Sequence, residues 1–282
     1  MNINIEQLIK EYEANKNNLK EYDSYINHVR EYKGYMFKEI EDIKKFNNES
    51  NWLSKLMKLN YNSPKIIGTY NQVIITEKIN ANSIKDDKAK KHLYNIGKLI
   101  ATLHNLPIKT NVDWKENLMI EFKELKDLAK NIMEERLYTL IVDFLEKALK
   151  NIKINKNVII HRDIRPENVL YKDGKYYLLD FESMCIGDRD YDFIRMFNVF
   201  NQKEIYQYED FKEFMDGYKS INNINFSKEK WSLYSKYYAF RMYTRMLSGK
   251  VNRSTEFEKY LVNVLEDNND RITKWIEKYN IQ

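Results

Sequence analysis

Eight residues in the middle of the chain, His161-Arg162-Asp163-Ile164-Arg165-Pro166-Glu167-Asn168, constrain it more than any other feature, together with Asp180-Phe181-Glu182 shortly after. Between them, two strand-like runs at 169–171 and 176–179 flank Lys172-Asp173-Gly174-Lys175. Asp-Gly between such runs is a hairpin signal. Asp163 and Asn168 then share one loop, and Asp180 ends the second strand. Three oxygen-bearing side chains around a hairpin suit Mg2+, which takes one or two carboxylates and leaves other positions for phosphate oxygens. Asp180 and Asn168 fit that need. Asp163 is left to accept the proton of an attacking hydroxyl.

The first segment resembles the protein-kinase catalytic loop, H-R-D-L-x-x-x-N, and Asp180-Phe181-Glu182 is similar to D-F-G. The spacing agrees, since Asn168 lies five positions after Asp163. The resemblance implies a lysine on a strand to hold the α- and β-phosphates and a helical glutamate to hold the lysine. Residues 35–40 read as a strand after a Lys33-Gly34 turn, with Lys38 on the face of Met36 and Ile40. Residues 42–60 read as a helix whose apolar stripe runs through Phe46, Leu53, Leu56 and Leu59, and Glu49 falls on that stripe. A carboxylate on a buried stripe needs a cationic partner. Lys38 and Glu49 are the implied pair, with Lys33 the alternative lysine. Residues 73–79 resemble the strand and hinge joining two lobes, so backbone groups near Glu77 and Ile79 are expected to meet the nucleotide base.

The departures from protein kinases point to the acceptor. No A-P-E follows Asp180. Gly187-Asp188-Arg189-Asp190-Tyr191-Asp192 arrives instead within twelve residues. That short connection resembles the aminoglycoside phosphotransferase and choline kinase group. So do Leu103-His104 at a helix end and Glu49 with Trp52, Leu53 and Leu56. Two arginines stand out in the loop. Arg162 replaces the glycine or asparagine usual in that group, and Asp188 or Asp192 is its expected acidic partner. Arg165 stands where protein kinases carry a lysine on the γ-phosphate, and a guanidinium holds phosphate with a planar fork. Asp192 is expected to hydrogen-bond the catalytic-loop backbone. The sequence has no glycine-rich phosphate loop, so either a non-glycine loop near residues 17–22 covers the phosphates or nucleotide binding is weak.

Composition excludes several classes. The chain has 282 residues, 43% apolar and 32% charged, as an ordinary globular protein does. Its 47 basic and 42 acidic residues are interspersed, without the basic stripe of a nucleic-acid reader. No run approaches a membrane span. Cys185 is the only cysteine, so neither an internal disulfide nor a cysteine zinc site exists. A cytoplasmic setting is expected. The aromatic run Trp231, Tyr234, Tyr237, Tyr238, Phe240 and Tyr243 has the helical spacing of a core rather than of a cation cage.

The expected fold is therefore α+β and bilobal, protein-kinase-like. A small β-rich N-lobe over residues 1–79 binds nucleotide, and a large helical C-lobe over 80–282 carries catalysis and substrate. The resemblance implies an ATP- (or GTP-) and Mg2+-dependent phosphotransferase acting on a small-molecule hydroxyl, aminoglycoside phosphotransferase-like. The alternatives are a choline, amino-alcohol or sugar kinase, and a kinase-like scaffold of little or no activity.

Overall fold

The computed structural model of the chain describes residues 4–22, 27–84, 86–154, 157–203, 205–224, 227–251, 254–266 and 277–278. By its contacts the chain falls into two compact units, residues 1–85 with 166–184 and residues 86–165 with 185–282.

The first unit begins with α1 (Ile5–Asn15), β1 (Glu21–Tyr22), β2 (His28–Tyr32), β3 (Tyr35–Glu39), α2 (Ile43–Lys58), β4 (Ile66–Tyr70), β5 (Val73–Glu77) and β6 (Asn82–Ser83). Five of the strands make an antiparallel sheet ordered β1-β2-β3-β5-β4. Two tight turns fix its register. Lys33 and Gly34 have φ of 50° and 81°, and Asn71 and Gln72 have 41° and 62°. Paired positive φ values suit a two-residue hairpin, because their twist matches that of the strands.

Alternation along β3 sends neighbouring side chains to opposite faces. Phe37 is buried under α1, where the Tyr12 ring stacks on it at 3.8 Å with the planes 4° apart. Leu8, Val73 and Ile75 complete that core. Lys38, opposite Ile74, turns to the other face, toward α2. Asp42 caps α2 by accepting from the amides of Lys44 and Lys45, a contribution of about 1 kcal/mol.

The second unit opens with α3 (Leu93–His104), α4 (Trp114–Ala129), α5 (Glu135–Asn151) and β7 (Asn157–Ile160). The helical spacing over 114–150 is thus divided between two helices. The chain then returns to the first unit as the hairpin β8 (Val169–Lys172) and β9 (Lys175–Leu178). Asp173 and Gly174 turn it at φ of 48° and 81°. β6 adds to β8, and the Leu178 amide donates to the Asn62 carbonyl at 3.0 Å. These bonds explain why the hairpin groups with the first unit.

The second unit resumes with β10 (Cys185–Asp188), antiparallel to β7, then α6 (Arg189–Gln202), α7 (Tyr208–Lys219), α8 (Lys228–Leu247) and α9 (Thr255–Leu265). Helix α6 starts at Arg189 because Asp188 caps it through the Asp190 amide. Helices α3 and α7 meet backbone to backbone: a Cβ on Gly97 would overlap the Phe214 carbonyl, and one on Gly217 the Tyr94 carbonyl. The α8 aromatics are core, with Trp231 edge-on to Phe197 at 4.7 Å and Tyr234 edge-on to Tyr191 at 5.5 Å. Among the described residues, no helix is long and apolar enough to cross a membrane.

Candidate active site

Within the first unit, β3, α2 and the residues after β9 bring three predicted side chains together. Lys38 Nζ lies 2.7 Å from Glu49 Oε2 and 2.8 Å from Asp180 Oδ1. Glu49 is buried in the α2 stripe, where desolvation pushes its carboxyl up against the pull of Lys38. Burial also works against the Lys38 ammonium. The carboxylates of Glu49 and Asp180 outweigh it and hold the lysine protonated, above its ordinary range. Lys33, the alternative lysine, stays in its turn and pairs with Glu11.

Asp180 sits at φ 66°, in the left-handed region that Asp tolerates better than most residues. The backbone after it is held by Asn48, one residue before Glu49. Asn48 Nδ2 donates to the carbonyls of Glu182 at 3.0 Å and Met184 at 2.9 Å, with that of Phe181 at 3.5 Å. Glu182 accepts from Lys45 at 2.6 Å and from Asn27 at 3.2 Å. One ligand oxygen each from Glu49, Asp180 and Glu182 lies within 4.8 Å of the others. Asn168 is buried, and its backbone carbonyl accepts from the Leu179 amide at 2.9 Å. The three carboxylates are hard oxygen donors of the kind a divalent cation such as Mg2+ takes, and in this structure Lys38 and Lys45 pair with two of them, Asp180 and Glu182.

In the second unit, one buried carboxylate sets the loop. Asp192 accepts from the backbone amides of His161 and Arg162, both at 2.7 Å, and meets His104 Nε2 at 3.1 Å. His104 is braced in turn by the Tyr218 hydroxyl at 2.8 Å. This network holds Arg162 at φ 67°, a conformation that costs an arginine about 1 kcal/mol or more. The Arg162 side chain finds neither expected partner. Asp192 is taken by backbone amides and Asp188 by Lys230 at 2.6 Å. The guanidinium instead meets Glu121 at 2.7 Å, between the rings of Trp114 and Tyr191 at 5.4 and 5.3 Å. Arg241 takes the other Glu121 oxygen at 2.9 Å. Burial alone would raise the Glu121 carboxyl, but the two guanidinium groups lower it to about 2.

Asp163 follows on this loop. Its Oδ1 lies 2.9 Å from Arg195 Nε and 2.8 Å from Arg195 Nη2, and its Oδ2 lies 3.5 Å from Arg165 Nε. His161 is fully buried and accepts from the Asp163 amide at 3.3 Å. It packs and orients the loop. Cys185, on β10, has its thiol pushed up to about 12 by burial, which leaves it unreactive near neutral pH.

Glu77 and Ile79 stand at the end of β5. The Glu77 amide already donates to the Lys65 carbonyl, and the Ile79 carbonyl accepts from Ala81. Ile79 borders an open pocket of about 580 Å³ in the first unit, lined also by Tyr22, Lys78, Asn82, Tyr171 and Asp173.

A family model described as the phosphotransferase enzyme family matches residues 36–219, roughly two thirds of the chain, a span that holds Lys38, Glu49, Asp163, Asn168 and Asp180. The chain belongs to the phosphotransferase enzyme family. Solved structures agree on a protein-kinase-like fold. A choline kinase from Streptococcus pneumoniae superposes with a TM-score of 0.68 at 16% identity, over 93% of this chain and 99% of that one. An ADP-bound aminoglycoside phosphotransferase gives 0.61 at 15% identity, over 94% and 97%. An amicoumacin kinase holding AMP-PNP and Ca2+ gives a TM-score of 0.66 at 14% identity, over 94% of each chain. Among curated proteins, a DNA-directed RNA polymerase subunit beta from Plasmodium falciparum is 24% identical over 154 residues, and the chain spans 13% of its length.

Sequence reasoning missed Asn48, Glu121, Glu182 and Arg195. Asn48 and Glu182 carried a signal, being neighbours of predicted residues. Glu121 and Arg195 lie 41 and 32 positions from their partners, and nothing local marks them.

Proposed function

We propose that this phosphotransferase is a small-molecule kinase that moves the γ-phosphoryl group of ATP, with Mg2+, onto a hydroxyl. The observation that carries the reading is Lys38, held charged between Glu49 and Asp180. Two carboxylates fix the Lys38 ammonium in one place as a cation, the part a phosphate-positioning strand lysine plays in phosphoryl transfer. Lys38 positions the α- and β-phosphates. Asn168 and Asp180 hold the metal, with Glu182 beside them. A bound divalent ion neutralises charge on the transferring phosphoryl group. The backbone of Glu77 and Ile79 takes the base, through groups other than the Glu77 amide. Residues 1–79 act as the nucleotide lobe and 80–282 as the catalytic and acceptor lobe, in the cytoplasm.

Asp163 orients the acceptor hydroxyl and accepts its proton, and Arg165 steadies the γ-phosphate. Catalysis is then positioning and charge neutralisation. ADP and AMP-PNP in the solved relatives support an adenine nucleotide, and Ca2+ in one supports a divalent ion.

The test is Mg2+-dependent ADP release across a panel of aminoglycosides, amino alcohols and sugars. Asp163→Ala should abolish turnover while nucleotide affinity changes less than about threefold. A protein that binds no Mg·AMP-PNP is the scaffold instead.

A further inference from the structure

Asp163 is already neutralised from inside the second unit. Arg195 sends two nitrogens to one of its oxygens, at 2.9 and 2.8 Å, and Arg165 faces the other at 3.5 Å. Arg195 is held in place: its side chain is 11% exposed, and its guanidinium lies 5.1 Å from the Tyr238 ring. It belongs to the fold and cannot swing away as a surface arginine would.

The wider charge around the loop is balanced as well. The guanidinium groups of Arg162 and Arg241 face Glu121, and those of Arg195 and Arg165 face Asp163. Glu121 is shared by two arginines, and Asp192 is occupied by two backbone amides and His104. None of these carboxylates is left over for a cationic ligand. Arg195 Nη1, by contrast, is a buried donor with no hydrogen-bond partner among the described residues. A buried unmet donor calls for an oxygen.

We propose that the acceptor is an uncharged polyhydroxyl compound of the sugar or polyol class, and that Arg195 is the specificity-determining residue that turns away cationic amino alcohols and aminoglycosides. This rests on the kinase reading above and narrows it. A positive group beside the reacting hydroxyl would meet the Arg195 guanidinium, and like charges placed together are how a site rejects the wrong partner. A neutral hydroxyl carries no such penalty.

Isosteric pairs isolate charge from shape: choline against 3,3-dimethylbutan-1-ol, and glucosamine against glucose. ADP release with Mg·ATP is measured for each, and saturation-transfer NMR on the Mg·AMP-PNP complex reads binding where turnover is slow. The uncharged member of each pair should be favoured at least tenfold. Arg195→Leu should bring that ratio near one and lower kcat more than it raises KM, while Arg195→Lys, which keeps the charge, should keep the ratio. A merely structural arginine would depress both members equally. Preference for the cationic members, binding of neither member of either pair, or an unchanged ratio in Arg195→Leu overturns the proposal. Absence of Mg·AMP-PNP binding is separate, and defeats the kinase reading itself.

Discussion

Lys38 Nζ lies 2.7 Å from Glu49 Oε2, with the glutamate almost fully buried and the lysine mostly so. Breaking such a pair from one side leaves an uncompensated buried charge, which costs about 3–5 kcal/mol. Lys38→Met should therefore destabilise the first unit by ~3 kcal/mol and lower kcat/KM for Mg·ATP at least ~100-fold, a loss of ~2.7 kcal/mol of transition-state stabilisation. Glu49→Gln keeps a neutral acceptor for the ammonium and should cost less in urea unfolding. Equal destabilisation by the two variants would mean that uncompensated charge is not the cause.

Asn48 tethers the backbone after Asp180 through the carbonyls of Glu182 and Met184. Asn48→Ala strands those carbonyls, at about 1–3 kcal/mol, and loosens the peptide that sets Asp180 at positive φ. Turnover should need several-fold more Mg2+ to half-saturate. An unchanged Mg2+ titration would reduce Asn48 to a packing residue.

The parts of this fold that were legible share one property: their cause is local. Lys33-Gly34 and Asp173-Gly174 announce their turns because few residue pairs accept positive φ together. Lys38 and Glu49 were readable because strand and helix periods each place one side chain on a chosen face. The Arg162 partner was not readable. Asp188 and Asp192 were the expected partners, yet both are claimed by other groups, and Glu121 reaches it from α4. Arg195 was hidden for a similar reason, as one charged residue in an otherwise apolar turn of α6. The strand β10 was missed because four residues containing Gly187 carry little strand signal, and only pairing with β7 forms it.

Helices α3 and α7, both in the second unit, make a sharp prediction. Gly97 and Gly217 each face the opposite backbone with no room for a Cβ. A backbone cannot rotate aside as a side chain can, so overpacking here should exceed the usual ~1–3 kcal/mol. Gly97→Ala or Gly217→Ala should lower the thermal midpoint by ten degrees or more, or prevent folding. Gly34→Ala, which has open space but φ 81°, should cost only about 1 kcal/mol. A mild effect at Gly97 would show that the helices can separate.

Asp190 gives the fold a pH dependence of known sign. It is buried at the start of α6, with Asp188 beside it, Lys230 Nζ at 3.4 Å and Arg189 Nε at 3.8 Å; Lys230 lies closer to Asp188, at 2.6 Å, and the Tyr234 hydroxyl donates to Asp188 at 3.0 Å. Burial, then the Asp188 charge, raise the Asp190 carboxyl to about 6 despite Lys230 and Arg189. The unfolded value is about 3.9. The folded state thus holds this proton more tightly than the unfolded one. The resulting stability is fully present below about pH 4 and is lost as pH rises through about 6, to the extent of ~2–3 kcal/mol. Asp190→Asn mimics the protonated form at every pH and leaves Lys230 its closer partner. The variant should match wild type in urea unfolding near pH 4.5 and exceed it near pH 7.5. A gap that stays constant across that window, or one that favours wild type at high pH, would show that Lys230 compensates Asp190 fully and that its burial carries no cost.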